Sequence, residues 1–242
     1  MRFAILADIH SNLTALEAVL ADLEKQGGAD EVWCLGDTLG YGPDPHQCLE
    51  IVRAHCSLCV AGNHDLAAIG KTDISTFNQD AARAARWNGN QLNQDEISFL
   101  AGLPLKVEKG DFTLVHGSPR DPVWEYIMSA REAEENLAYF KTRYCLTGHS
   151  HISMVFKSDA MCGSDRPRAG TSLKLLDCRY IINPGGVGQP RDSDARSAYA
   201  VYDSEAATLV FQRVSYDISA VQARMRKAGL PLSLIERLSY GQ

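Results

Sequence analysis

Phe3-Ala4-Ile5-Leu6-Ala7 is a short apolar run that stops at Asp8-Ile9-His10-Ser11-Asn12. Leu13, Leu16, Val19, Leu20 and Leu23 then recur at helical spacing. This pattern predicts a strand over 3–7 and a helix over 13–23, with polar residues at the strand's carboxyl end. The motif repeats outward. Glu31 to Leu35 reads as a strand ending in Gly36-Asp37, Pro45 to Ala54 as a helix, and Ser57 to Ala61 as a strand ending in Gly62-Asn63-His64-Asp65. Such a β-α-β-α-β rhythm predicts a largely parallel sheet.

Residues 67–103 are rich in Ala, Gln and Leu and break at Leu103-Pro104, a helical segment and a candidate cap. Beyond it, Phe112 to Val115 and Tyr144 to Leu146 read as strands ending in His116-Gly117 and before Gly148-His149-Ser150-His151, with a helix over 130–142 between them. Strands are expected at 152–156, 173–176, 180–182, 198–202 and 207–214, and a loop at Asn183-Pro184-Gly185-Gly186-Val187-Gly188, so the second half reads as a β-rich partner sheet. With no repeat or linker, residues 1–242 are expected to form a single domain.

Composition narrows the setting. A 45% apolar and 22% charged chain with no apolar run near the roughly 18 residues of a membrane span is expected to be soluble and off the membrane. The opening residues do not resemble a secretory signal, and seven irregularly spaced cysteines suit buried free thiols in a reducing cytoplasm. Cys56-x-x-Cys59 has no second pair to complete a zinc site. A net charge of −6 argues against nucleic acid as a partner and calls for a local positive site if the ligand is anionic. Self-association as a homo-oligomer stays open.

Of the seven histidines, His10, His64, His116, His149 and His151 follow predicted strands or flank a glycine at a strand end. Ligands of α/β sheets collect beyond the carboxyl ends of strands, so these residues can converge with Asp8, Asp37 and Asn63. In extended chain, residues i and i+2 point the same way, which lets Asp8/His10 and His149/His151 each present two ligands together. A lone Asp-x-His is commonly a packed core pair. Five such elements in order carry far more weight.

Those elements, Asp8-Ile9-His10, Gly36-Asp37, Gly62-Asn63-His64-Asp65, His116-Gly117 and Gly148-His149-Ser150-His151, make residues 8–151 resemble the calcineurin-like metallophosphoesterase superfamily. The resemblance implies an α/β fold, a four-layer α/β/β/α sandwich. It also implies two divalent metal ions, one held by Asp8, His10, Asp37 and His151 and the other by Asp37, Asn63, His116 and His149. Mixed imidazole and oxygen donors suit Mn, Fe, Zn or Ni better than Mg or Ca. Two divalent ions outweigh the carboxylates of Asp8 and Asp37, so the centre attracts a phosphoryl group even with a bridging hydroxide present. The implied activity is hydrolysis of a small phosphate ester, a phosphomonoester or phosphodiester such as a nucleotide, by in-line attack of metal-bound hydroxide. The resemblance assigns His64 to the leaving group, and Asp65 is placed to orient its ring or cap a helix.

Two branches of the superfamily fit less well. The arginine that serine/threonine phosphatases carry soon after the second aspartate motif is missing from Gly36-Asp37-Thr38-Leu39-Gly40-Tyr41-Gly42, and Tyr41 falls one position past the tyrosine ligand of purple acid phosphatases. The Asp-x-His-Ser-Asn opening and the late glycine loop are most similar to the compact prokaryotic branch. Asn12, Arg120 and Arg191 are candidate substrate contacts, and Asn78, Trp87 and Tyr126 candidate pocket walls. The alternative function is a non-catalytic protein-binding scaffold of the same fold, with a degenerate metal site.

Overall fold

The computed structural model describes residues 1–158 and 164–242. Strand β1 (Arg2–Leu6), helix α1 (Leu13–Lys25), β2 (Glu31–Cys34), α2 (Pro45–His55) and β3 (Cys56–Cys59) form the opening unit, with β1, β2 and β3 parallel as expected. Next come α3 (Asn63–Ala68), α4 (Gln79–Gln91) and α5 (Gln94–Gly102), then β4 (Lys106–Lys109), β5 (Phe112–Val115), α6 (Ala130–Asn136) and β6 (Tyr144–Leu146). The chain continues through β7 (Ser153–Lys157), β8 (Ser164–Asp165), β9 (Ser172–Lys174), β10 (Tyr180–Pro184), β11 (Ser197–Asp203) and β12 (Thr208–Val214). It closes with α7 (Ile218–Lys227) and α8 (Leu232–Glu236), two helices that the strand pattern did not anticipate.

The strands form two six-stranded mixed sheets, ordered β3-β2-β1-β11-β12-β9 and β4-β5-β6-β10-β7-β8. The expected division into a parallel first half and a β-rich second half is therefore corrected. β11 pairs antiparallel with β1, Ile5 opposite Ala200, so three late strands extend the first sheet, while β4 and β5 begin the second. Burial explains the return: with β2 on one side only, the other edge of β1 would leave buried backbone groups unpaired. The predicted helix over 130–142 ends at Asn136 and tightens into a 3₁₀ turn at Leu137–Tyr139.

Period-two alternation sets the layers. Ala4, Leu6, Val32, Cys34, Tyr199 and Val201 pack with Leu16, Val19 and Leu23 of α1 and Val52 of α2. Ile5, Trp33, Ala200 and Tyr202 turn the other way, onto Phe112, Leu114, Tyr144, Leu146 and Ile182 of the second sheet. The outer face of that sheet, with Cys145, Phe156 and Ile181, is covered by Ala133 of α6 and by Phe140. The result is an α/β/β/α sandwich, as expected. Among the described residues no helix is long and apolar enough to cross a membrane. Six cysteines are free, but only Cys34, Cys48 and Cys145 are fully buried; Cys162 lies outside the described residues.

Candidate metal centre

β1, β2 and β3 of the first sheet and β5 and β6 of the second are followed directly by the expected site residues. Asp8, His10, Asp37, Asn63, His116, His149 and His151 are all buried there. All but Asn63 fall into two groups of potential ligand atoms, Asp8/His10/His151 and Asp37/His116/His149. Within the first, His10 Nε2 is 3.0 Å from His151 Nε2, which is 3.4 Å from Asp8 Oδ1. Within the second, His116 Nε2 lies 3.1 Å from His149 Nδ1 and 3.0 Å from Asn63 Oδ1. Asp37 Oδ2 lies between the groups, 3.6 Å from His10 Nε2 and 3.3 Å from His116 Nε2.

The backbone differs from the expected extended ligand pairs. Asp8, His10, Asp37, His149 and His151 all have φ between 51° and 64°, in the left-handed region that costs a non-glycine residue roughly 1–2 kcal/mol. Left-handed turns, rather than strand alternation, aim both ligand pairs. Strain of this kind persists only where surrounding structure imposes it, and it clusters at functional sites.

Hydrogen bonds to main-chain oxygens assign the ring protons. His10 Nδ1 faces Leu39 O at 2.8 Å, His116 Nδ1 faces Leu35 O at 2.9 Å and His151 Nδ1 faces Gln189 O at 2.5 Å, while His149 uses Nε2 toward Trp124 O at 3.2 Å. A carbonyl only accepts, so each of these ring nitrogens donates, and the opposite one is bare wherever the ring is neutral. Those opposite nitrogens are the ones that face each other at about 3 Å. Asp8 Oδ2 and Asp37 Oδ2 are buried without a hydrogen-bond partner. Converging lone pairs and orphaned carboxylate oxygens fit divalent cations, and the N/O donor set matches borderline metals.

Burial pushes the imidazoles of His10 and His151 well below their usual pKa, and that of His149 down to about 3, so they are neutral. Burial also raises the Asp8 carboxyl, to about 7. For Asp37, burial opposes ionisation but His116, His64 and His10 hold the carboxyl well below the ordinary range. His116 is the complement: burial disfavours its cation, yet the Asp37 carboxylate raises it to about 9. The second proton falls on Nε2, facing Asn63 Oδ1 and His149 Nδ1, so positive charge is stabilised at this point of the cluster.

A cavity of about 230 Å³ opens over this cluster, with Asp37, Asn63, His64, His149, His151, Arg191, Asn78 and Tyr126 on its wall. Tyr41, Thr76, Phe77, Ala81 and Trp124 also line it, and sequence reading missed them as site residues. Gly40-Tyr41-Gly42, directly after the second aspartate motif, was the one available signal for Tyr41. Trp87 packs instead near Val221 and Met225.

Three expectations are corrected. Asn12 is engaged as the N-cap of α1, accepting from Ala15 N at 3.1 Å and donating to Gly188 O at 2.9 Å, and it is not on the cavity wall. Arg120 is held outside the cavity by Glu125 and Glu135. Of its two expected roles Asp65 takes the helix cap and not the orientation of His64: its oxygens accept from Gly62 N, the N-cap of α3, at 3.0 Å and from Leu39 N at 2.9 Å, tying the loop after β2 to the start of α3. Asn12→Ala is accordingly expected to cost about 1–2 kcal/mol and lower the melting temperature by roughly 2–8 °C, with KM unchanged in thermal and kinetic assays.

The sequence profile of the calcineurin-like phosphoesterase superfamily domain matches residues 1–207. The chain belongs to this superfamily. It is thus a metal-dependent phosphoesterase. It is similar to a metallophosphoesterase from Sphaerobacter thermophilus of known structure, 45% identical with a TM-score of 0.92, covering 100% of this chain and 99% of that one. An uncharacterised protein of Methanocaldococcus jannaschii is 36% identical over 99% of this chain and 98% of its own length. A symmetrical bis(5'-nucleosyl)-tetraphosphatase of Thioalkalivibrio sulfidiphilus is 32% identical over 76% of this chain and 66% of its own. Against other tetraphosphatases of that name the chain spans about half their length.

Proposed function

We propose that this phosphoesterase hydrolyses small phosphate esters, nucleotides among them, with a dinuclear metal centre. Asp8, His10, Asp37 and His151 would hold one ion, and Asp37, Asn63, His116 and His149 the other, with Asp37 shared. The observation that carries the reading is the two pairs of converging imidazole nitrogens about 3 Å apart with Asp37 Oδ2 between them. When bound, two such ions activate water as the nucleophile and neutralise phosphoryl charge. Manganese, iron, zinc and nickel fit these donors. The complete ligand set favours this over a protein-binding scaffold.

The protein's own groups do the rest. Arg191 enters the cavity from the β10–β11 connection and replaces the arginine missing after the second aspartate motif. Its guanidinium contacts Tyr41 Oη at 3.2 Å and Gln189 Oε1 at 3.0 Å, neutral partners that leave its charge available to phosphate. His64, kept neutral because burial lowers its pKa to about 4, serves the leaving oxygen as a hydrogen-bond donor. Phe77 and Trp124 meet edge to face at 5.5 Å, and Tyr126 stacks on His149 at 3.9 Å, surfaces suited to a planar leaving group such as a nucleobase. Residues 67–103 act as a partial cap through Thr76, Phe77, Asn78 and Ala81. One domain, residues 1–242, and a cytoplasmic setting complete the reading, the latter consistent with free thiols.

Metal analysis and hydrolysis of aryl phosphate mono- and diesters with manganese, nickel or zinc test the proposal; neither metal nor turnover would reject it. Arg191→Gln should raise KM for a dianionic monoester by about 10–100-fold and less for a monoanionic diester, as expected for loss of a charged hydrogen bond. Equal effects on both would remove Arg191 from the phosphate. A panel of nucleotides, dinucleoside polyphosphates, cyclic nucleotides and sugar phosphates resolves the leaving group.

A further inference from the structure

The superfamily profile matches residues 1–207, and α7 and α8 lie beyond that stretch. The two helices nevertheless reach the cavity. Val221, Met225, Leu234, Ile235 and Leu238 share one packed cluster with Ala81 and Ala84 of α4 and with Tyr41, whose hydroxyl receives Arg191 at the cavity wall. Polar ties set the spacing: the Ser233 hydroxyl donates to Asp80 in the first turn of α4, and Arg83 Nη2 donates to Gly229 O at 2.8 Å.

Between α4 and α8 lies a groove of about 390 Å³, walled by Asn78, Gln79, Asp80, Ser233 and Arg237 among others. Asn78 also stands on the wall of the metal-centre cavity, so groove and cavity meet there. Arg237 opens the 3₁₀ turn that follows α8 and is half-buried. Its Nε donates to Gln242 O, and among the described residues its two terminal nitrogens have no partner.

Two cations stand close together here. Burial, and after it the charge of Arg191, hold the Arg237 guanidinium below its usual pKa, with Tyr41 and Tyr126 also in its field. A guanidinium stays protonated in spite of this. Neither cation is paired with a side-chain carboxylate: Arg191 has the neutral Tyr41 and Gln189, and Asp80, the acidic residue of the groove, is engaged by Ser233. Like charges held together in a half-buried place repel, and an anion that bridges them turns repulsion into attraction.

We propose that Arg237 forms a second anion subsite beside the phosphoryl position served by Arg191, and that the preferred substrate is a phosphate ester carrying a further anionic group, a diphosphate or longer phosphate chain. The inference rests on the reading above, in which Arg191 faces the phosphate. A phosphate chain laid from the metal centre past Arg191 puts its next group in the groove, whereas a monophosphate leaves the groove empty. The stretch shared with the superfamily then supplies hydrolysis, and the helices beyond it supply the choice of substrate.

The test is titration calorimetry on zinc-loaded protein, with nucleoside mono- and diphosphate analogues whose ester and bridging oxygens are replaced by CH₂, so that neither is turned over. The wild type should bind the diphosphate analogue about 10–100-fold more tightly, the range expected for charged hydrogen bonds to one more phosphate. Arg237→Gln should lose most of that preference, with affinity for the monophosphate analogue, zinc content and circular dichroism nearly unchanged. Gln79→Glu leaves Arg237 in place and sets a carboxylate in the groove, at an exposed first-turn position of α4 where helices favour acidic residues; it too should cut the preference. A wild type without the preference, or a preference indifferent to the folded variants, overturns the proposal. Should no ester be hydrolysed while the preference and its loss are seen, the hydrolytic reading fails and the subsite stands; turnover without the preference rejects the subsite alone.

Discussion

Asp37→Asn is expected to empty both metal positions and reduce turnover by at least about 10³-fold, with the folded structure retained. The carboxylate has divided duties. Oδ1 accepts from His64 N at 2.8 Å, a bond that the amide oxygen of asparagine can keep. Oδ2 lies between His10 and His116 without a hydrogen bond of its own, and the change replaces it with an NH₂ group that cannot accept from, or bind to, a cation. Substitution of a ligand confined to one group, such as His151, should empty one position more than the other. Metal stoichiometry after equilibration with limiting zinc, beside circular dichroism, checks the claim. Two ions retained per Asp37→Asn chain would remove this residue from its bridging role.

A substitution that removes no ligand should be nearly as damaging. Gly62 has an ordinary φ of −96°, so its backbone angles do not demand glycine. The demand is space: a Cβ there would lie 2.0 Å from Asp37 Oδ1 and 2.4 Å from Asp37 N. Gly62→Ala must therefore either push the Asp37 carboxylate aside or separate the loops after β2 and β3, which Asp65 ties together. Overpacking of this kind costs about 1–3 kcal/mol, and more where backbone cannot yield. Zinc affinity should fall by at least about tenfold, in keeping with a loss of 1.4 kcal/mol or more at the site. Urea unfolding and zinc titration measure both effects; wild-type affinity in Gly62→Ala would show that the carboxylate has room to move.

The sequence makes the candidate ligand set legible because each position carries two independent signals, a residue type and a place at a strand's carboxyl end. Asp8, Asp37, Asn63, His116 and His149 all satisfy both. It shows less where the deciding partner is remote. Nothing within β11 tells which strand it joins, because alternation in Tyr199-Ala200-Val201-Tyr202 records two buried faces and leaves the neighbouring strand open. Asp65 follows His64 in sequence, yet the ring is met by Tyr41 from another loop. Asn12 looked available beside His10 until the first turn of α1 claimed it. The left-handed conformations of Asp8, His10, His149 and His151 are equally hidden, since residue type only weakly forecasts positive φ outside glycine.

The ligands divide between the two sheets: Asp8, His10, Asp37 and Asn63 follow strands of one, and His116, His149 and His151 follow strands of the other. The metal pair proposed for this seam would be a cross-link between layers as well as a reagent. Its ligands converge only once the sheets have docked, so binding selects the folded chain over the unfolded one and contributes about 2.7 kcal/mol at a hundredfold excess over Kd. Metal supply would then set part of the stability of the sandwich itself, and a chelator is expected to lower its melting temperature.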